Sequence, residues 1–280
     1  LDVYSGLTNQ SIAFGVHMEL LEMCELKAKR DQVTPAEVES KIAEFSREFD
    51  VADNCDPYEL ERAARTARAM DKLVESRQLG AVAYYYEGAE GNEYRNIVTS
   101  VIAGNTLLTS RGIPVAGECE IKNAIAMKIM SEFNSGGSFS EFYLMDFNDD
   151  VIILGHDGPA HAAISQGKVR LVPLPVYHGK PGKGLSIQMK VKNGPVTLLS
   201  VVQTADGILL LVAEGESLEG ATLDIGNTNS RYRFPVSIKE FINRWSKMGP
   251  SHHCAIGMDH IATKIEKLGI LLDMQVVKIC

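Results

Sequence analysis

The chain has 280 residues, 45% of them hydrophobic and 23% charged, with a formal net charge of −8 and a pI of about 5.4. This is the composition of an ordinary globular protein, long enough for one large domain or two of common size, and two are expected. An acidic chain without a basic stripe is a poor nucleic-acid binder, and no apolar run reaches the roughly 18 residues of a membrane span, so neither partner is expected.

Cys24, Cys55, Cys119, Cys254 and Cys280 are odd in number and widely spaced, with no CxxC pair. They read as reduced thiols of a cytoplasmic protein. No signal peptide opens the chain. Leu1 is not an initiator Met, and LDVYSGLTNQ reads as sequence from the middle of a protein, so a piece of something longer is expected.

Residues 8–30 place apolar side chains at helical spacing and end in a basic cluster suited to a helix C-terminus. Thr34-Pro35-Ala36-Glu37 is a helix start, with Thr34 as cap, Pro35 at the first helical position and Glu37 at the third. That helix should run to about Phe49, and another should occupy 57–78 after a polar break. The period then changes. Residues 80–86 (GAVAYYY) form a short apolar run of the kind that makes a buried parallel strand, 93–110 look helical, and Ile113–Glu118 is a second strand running into a turn. Ile121–Phe133 should be an amphipathic helix. Ser138–Phe147 and Val151–Gly155 read as strands joined at Asn148-Asp149-Asp150. Residues 1–165 therefore predict an α/β domain with a parallel, Rossmann-like (flavodoxin-like) sheet.

Beyond Gly167 the runs KVRLVPLPVYHG, LSIQMKV, VTLLSVVQT and GILLLVAEGE are separated by Gly, Pro and Asn turns. They predict a β-rich, antiparallel, barrel-like domain over 166–280, closed by helices at Ser237–Met248 and His260–Leu268 and a strand at Leu272–Ile279.

Four places hold polar groups where strands meet turns, the position at which open α/β sheets bind ligands. They are Gly117–Glu120, Gly136–Glu141, Leu154–His161 and Pro250–Cys254, the last lying between two helices. Each has a plain structural reading: a solvated loop carboxylate, a flexible Gly-Gly loop, a Gly/Pro turn capped by Asp, a helix N-terminus. His17, His161, His178 and His260 are read the same way. If the four places converge in space, their two carboxylates and two imidazoles would make a divalent-cation site, and the lack of Cys pairs argues against structural zinc.

At these same four places the sequence resembles the L-arabinose/L-fucose isomerase superfamily. GECEIKNAIAMKIM (117–130) is similar to a Gly-Glu-Gly-Asp turn opening a helix, GGSFSEFYLMDF (136–147) to a Ser-Phe-x-Glu stretch, ILGHDGPAH (153–161) to a Leu-Gly-x-His turn, and PSHHCAIG (250–257) to an Ala-His-His-Thr segment. Cys119 stands where the arabinose isomerases have Gly and Glu120 where they have Asp, so the chain looks more like relatives lying between the arabinose and fucose enzymes. The resemblance implies Glu118, Glu141, His156 and His253 as metal ligands, Glu118 and Glu141 also as the acid/base pair, and Glu120, Phe139 and His252 near the substrate. The fucose pattern makes Asp146 a rival to Glu141.

The implied activity is a metal-dependent aldose–ketose isomerisation of a pentose or hexose, with proton transfer between C1 and C2 through an enediol and Mn²⁺, Co²⁺ or Mg²⁺ as cofactor. The implied assembly is a homo-oligomer, trimer or hexamer, with active sites between subunits and an N-terminal domain outside this chain. A non-catalytic sugar-binding or regulatory module on the same fold is the alternative. No GxSxG, HExxH or GxGxxG supports a hydrolase or a dinucleotide enzyme.

Overall fold

The structure is a computed structural model, and it describes residues 6–85, 91–174, 176–177 and 180–280. Tyr86 and His178 lie outside the described residues.

The stretch expected as one helix over 8–30 is two, α1 (Leu7–Phe14) and α2 (Met23–Asp31). Gly15 ends α1 in the left-handed region at φ 64°, and a capping box between Glu22 and Glu25 starts α2 afresh. Helix α3 (Pro35–Glu48) begins as its sequence dictates: Glu37 N donates to the Thr34 hydroxyl at 3.3 Å and Thr34 N donates to the Glu37 carboxylate at 2.9 Å. A short strand, β1 (Asp50–Val51), leads to α4 (Pro57–Arg77), capped by Asp56. Then come β2 (Val82–Ala83), α5 (Arg95–Val98), α6 (Ile102–Ser110), β3 (Val115–Ala116) and α7 (Ile121–Glu132). Helices α4 and α6 cross closely enough that a Cβ on Gly104 would stand 2.6 Å from the Ala67 Cβ. Asp71 on α4 is buried between Lys41 at 2.6 Å and Arg111 at 2.7 Å, which ties α3 and the end of α6 to it.

The remaining elements are β4 (Gly136–Asp146), β5 (Val151–His156), β6 (Arg170–Pro173), β7 (Val176–Tyr177), β8 (Lys180–Pro181), β9 (Leu185–Gln188), β10 (Gly194–Thr204), β11 (Gly207–Leu218), β12 (Thr228–Arg233), α8 (Ile238–Lys247), β13 (His253–Met258), α9 (Ala262–Leu272) and β14 (Gln275–Lys278). The fold is mixed α/β in two parts. Parallel pairing joins β2 to β3 and β1 to β6, with β9 antiparallel beside β6. The larger sheet has the order β10-β13-β4-β5-β12-β11-β14, and β10 also pairs with β11. That extra pairing closes six strands into an antiparallel ring, with β14 added in parallel along β11. Strands β4 and β5 precede position 165, yet they pair with β13 and β12 from the C-terminal part.

Strand alternation divides the ring into two apolar faces. Val196, Leu198, Leu211, Ala213, Ile152, Leu154, Cys254 and Ile256 pack in one cluster with Phe241 and Trp245 of α8. Leu199, Val201, Leu210, Val212, Ala255 and Phe139 pack in another with Met127 and Met130 of α7 and Ile265 of α9. All six ring strands send side chains into the first cluster, Tyr232 of β12 and Phe142 of β4 included, so that face is the ring interior and the face bearing α7 and α9 is the outer one. No helix among the described residues is long and apolar enough to cross a membrane.

Two strands correct the sequence reading. Residues 253–258, expected as a loop between helices, form β13, and 228–233, assigned no element, form β12. Both are short polar-apolar mixtures whose strand character comes from the neighbours they pair with, as β-propensity depends on context.

Candidate metal and acid/base centre

The fourth motif enters the site through strand register. On β13, Cys254 and Ile256 face the ring interior, so His253 and Ala255 face outward. Opposite them on β4 stand Glu141 and Phe139: the pairs are His253 with Glu141 and Ala255 with Phe139. On its other side β4 pairs with β5, Glu141 opposite Gly155, which brings His156 to the same end of the sheet. A Cβ on Gly155 would meet the Thr228 carbonyl oxygen at 2.1 Å and the Tyr143 ring at 2.8 Å, so glycine is required there.

The first motif arrives from the parallel part. It follows β3, and Cys119 N donates to the Tyr84 carbonyl at 2.8 Å, tying the turn to the end of β2. Glu118 (φ 56°) and Cys119 (φ 53°) are both left-handed. Two consecutive L-residues in that region cost about 1–2 kcal/mol each. The turn sets Glu118 and Glu120 on opposite sides of one imidazole: Glu118 Oε1 is 3.8 Å from His253 Nε2, and Glu120 Oε2 is 3.7 Å from His253 Nδ1. Gly117 passes so close to Phe139 that a Cβ would lie 3.3 Å from the ring.

Phe139, 2% exposed, packs its ring 4.4 Å from those of both His156 and His253, measured between centroids. Glu118, His156 and His253 each offer one ligand atom within 4.8 Å of the others, and so do Glu141, His252 and His253. The structure therefore brings together all four residues expected as ligands, with His253 common to both trios. His252 is half exposed, its Nε2 3.6 Å from Glu118 Oε2. Glu120 has no exposed surface at all. Burial pushes the Glu141 carboxyl above the usual carboxylate range, opposed by His253 and His252 and reinforced by Glu118 and Asp157.

Two residues not named as site candidates in the sequence reading, Asp157 and Lys122, border the cluster. His156 Nδ1 accepts from Gly158 N at 2.9 Å, and Asp157 Oδ1 lies 3.4 Å from the same nitrogen. Lys122 Nζ is 3.9 Å from Glu120 Oε1. The adjacency of Asp157 to His156 was the one available signal.

The other candidates lie elsewhere. Asp146 accepts from Asn148 N at 3.0 Å and Asp149 N at 3.1 Å, so it closes the β4–β5 turn and stands five residues along the strand from Glu141. His161 is buried and its Nδ1 accepts from Ala163 N; burial lowers its pKa. His260 contacts the Gly215 carbonyl at 3.0 Å, and His17 is exposed.

The donor set fits a divalent ion on one further observation. His253 is 1% exposed, and neither of its ring nitrogens has a hydrogen-bond partner among the described residues. An unpartnered buried polar group costs about 1–3 kcal/mol, and a cation held with carboxylates at this spacing would remove that cost. Mixed carboxylate and imidazole donors suit Mn²⁺ or Co²⁺.

No family model matches the chain. It is similar to the sulfoquinovose isomerase of Alkalicoccus urumqiensis, with 24% identity over 234 residues, 81% of this chain and 50% of that protein. The chain thus spans about half the length of the curated relative it matches. The likeness, though distant, is to an isomerase that acts on a sugar.

Proposed function

We propose that the chain carries the metal-binding, acid/base half of an aldose–ketose sugar isomerase, of the kind its resemblance to the arabinose and fucose isomerases implies. The observation that carries this reading is the convergence of Glu118, Glu141 and His156, from three other segments, on the buried imidazole of His253. The likeness to the sulfoquinovose isomerase supports a sugar isomerase in general.

Glu118, His156, His253 and Glu141 would hold the ion, which when bound supplies Lewis acidity toward the oxygens of the sugar. Glu141, its proton affinity raised by burial, takes the proton at carbon. Glu118, whose Oε1 is 3.8 Å from His253 Nε2, serves the hydroxyl proton. A carboxylate pair in unlike environments can divide those roles. Phe139 walls the histidines from water, and half-exposed His252 is within reach of a sugar hydroxyl. A neighbouring subunit in a homo-oligomer completes the sugar pocket.

Mn²⁺ titration of wild type against His253→Ala tests the metal, and a screen of pentoses, hexoses and sulfoquinovose with added Mn²⁺ tests the reaction. Tight binding lost in the variant, with ketose formation, is the expected result. Absence of Mn²⁺, Co²⁺ and Mg²⁺ binding in wild type would refute the reading. Metal and sugar binding without turnover, in a form that includes the rest of the protein, would make the chain a sugar-binding module instead.

A further inference from the structure

Glu120 is buried as completely as any residue here, at 0% exposure, yet neither carboxylate oxygen has a hydrogen-bond partner among the described residues. Burying a carboxylate without partners is among the most costly arrangements a fold can adopt. Two groups face it, His253 Nδ1 at 3.7 Å from one oxygen and Lys122 Nζ at 3.9 Å from the other. Both separations are just beyond hydrogen-bond reach.

We propose that Glu120 is a positioning residue that holds His253 in the Nδ1–H tautomer and so presents the Nε2 lone pair toward Glu118. The metal part of this inference rests on the function proposed above; the tautomer does not. A neutral imidazole has one N–H and one lone pair, and a carboxylate faces each nitrogen of His253. Only one of them can receive the proton. Glu118 keeps about a fifth of its side chain in solvent and Glu120 keeps none. Where no water can stabilise the charge, an N–H directed at it is worth most, so the proton belongs on Nδ1. Lys122, itself buried, balances the far oxygen.

The left-handed pair Glu118–Cys119 gives this arrangement a geometric reason. It turns the chain so that carboxylates two residues apart bracket a single ring. A histidine whose far nitrogen donates to a carboxylate is oriented, and made more basic, as a ligand at its near nitrogen. Glu120 would thus act behind His253, with no surface in contact with the sugar.

Nitrogen-15 NMR of the imidazoles in the metal-free chain reads the tautomer directly, over a pH series in which the neutral ring is populated. Wild type is expected to show His253 protonated at Nδ1. Glu120→Ala should move the proton to Nε2 and weaken Mn²⁺ binding by about 10–100-fold. Glu120→Gln keeps an acceptor oxygen, so it should keep the tautomer and lose less affinity, a rescue that a merely space-filling role would not give. An Nε2–H tautomer in wild type, or an unchanged tautomer and undiminished Mn²⁺ affinity in Glu120→Ala, would overturn the inference. Should Glu120→Ala not fold, wild type and Glu120→Gln decide. Nδ1–H in a wild type that binds no metal would sink the isomerase reading and leave the positioning role standing.

Discussion

Cys119 is the place where the backbone of the site can be tested without touching its chemistry. It lies between the two carboxylates, at φ 53°, where an L side chain is disfavoured. Comparing Cys119→Gly with Cys119→Ala cancels any contact of the thiol, since both variants lack it. Alanine retains the left-handed penalty of about 1–2 kcal/mol, which glycine escapes. Glycine in turn gives the unfolded chain more freedom, a cost of about 0.4–1 kcal/mol. Mid-values of the two terms leave glycine ahead by about 0.8 kcal/mol. For a chain of this size that is about 1–2 °C in melting temperature. The assay is thermal and urea unfolding of the two variants side by side, with Mn²⁺ affinity measured in each. Affinity should be equal, because neither substitution moves Glu118 or Glu120. A glycine variant melting at or below the alanine variant would show that the turn is not strained, and would remove the physical account of how the two carboxylates come to bracket His253.

Glu118→Gln and Glu141→Gln should each lower isomerase turnover by about 100-fold or more while the fold persists, read from initial rates and circular dichroism; near-wild-type rates in either would remove that residue from the acid/base pair. Gly104→Ala should destabilise by about 1–3 kcal/mol through overpacking, because its Cβ would press on Ala67 2.6 Å away across the α4–α6 crossing, and denaturant midpoints measure this. Hydrogen bonds from Thr34 N, Lys72 and Arg68 hold the Glu37 carboxyl down at about 2 against an ordinary 4.5. A depressed carboxyl contributes stability that is present above the unfolded value and lost as pH falls through the folded one, so the melting-temperature gap between wild type and Glu37→Gln should be full at neutral pH and close between about 4.5 and 2. A gap that widens in acid would contradict the cap geometry.

The local sequence determined a good deal. Thr34-Pro35 with Glu37 is a helix start whatever surrounds it, because its donors and acceptors lie within one turn. The change from helical spacing to alternation divided α-rich from β-rich segments for the same local reason. The chemical types at 117–120, 139–141, 156 and 252–253 named the groups able to hold an ion, since side-chain chemistry needs no neighbour to be read. What the tertiary structure decided is everything that depends on pairing across long separations. His253-Cys254-Ala255-Ile256 carries little strand signal of its own and becomes β13 only because β4 and β10 flank it. That pairing sets Glu141 opposite His253, and a one-residue slip of β13 would turn His253 to the other face, away from Glu141. Burial of Glu120 is likewise invisible in a turn sequence of Gly, Glu and Cys. It is hidden because α7 packs that turn against the outer face of the ring, and packing, unlike capping or alternation, is a property of surfaces that meet only once the chain has folded.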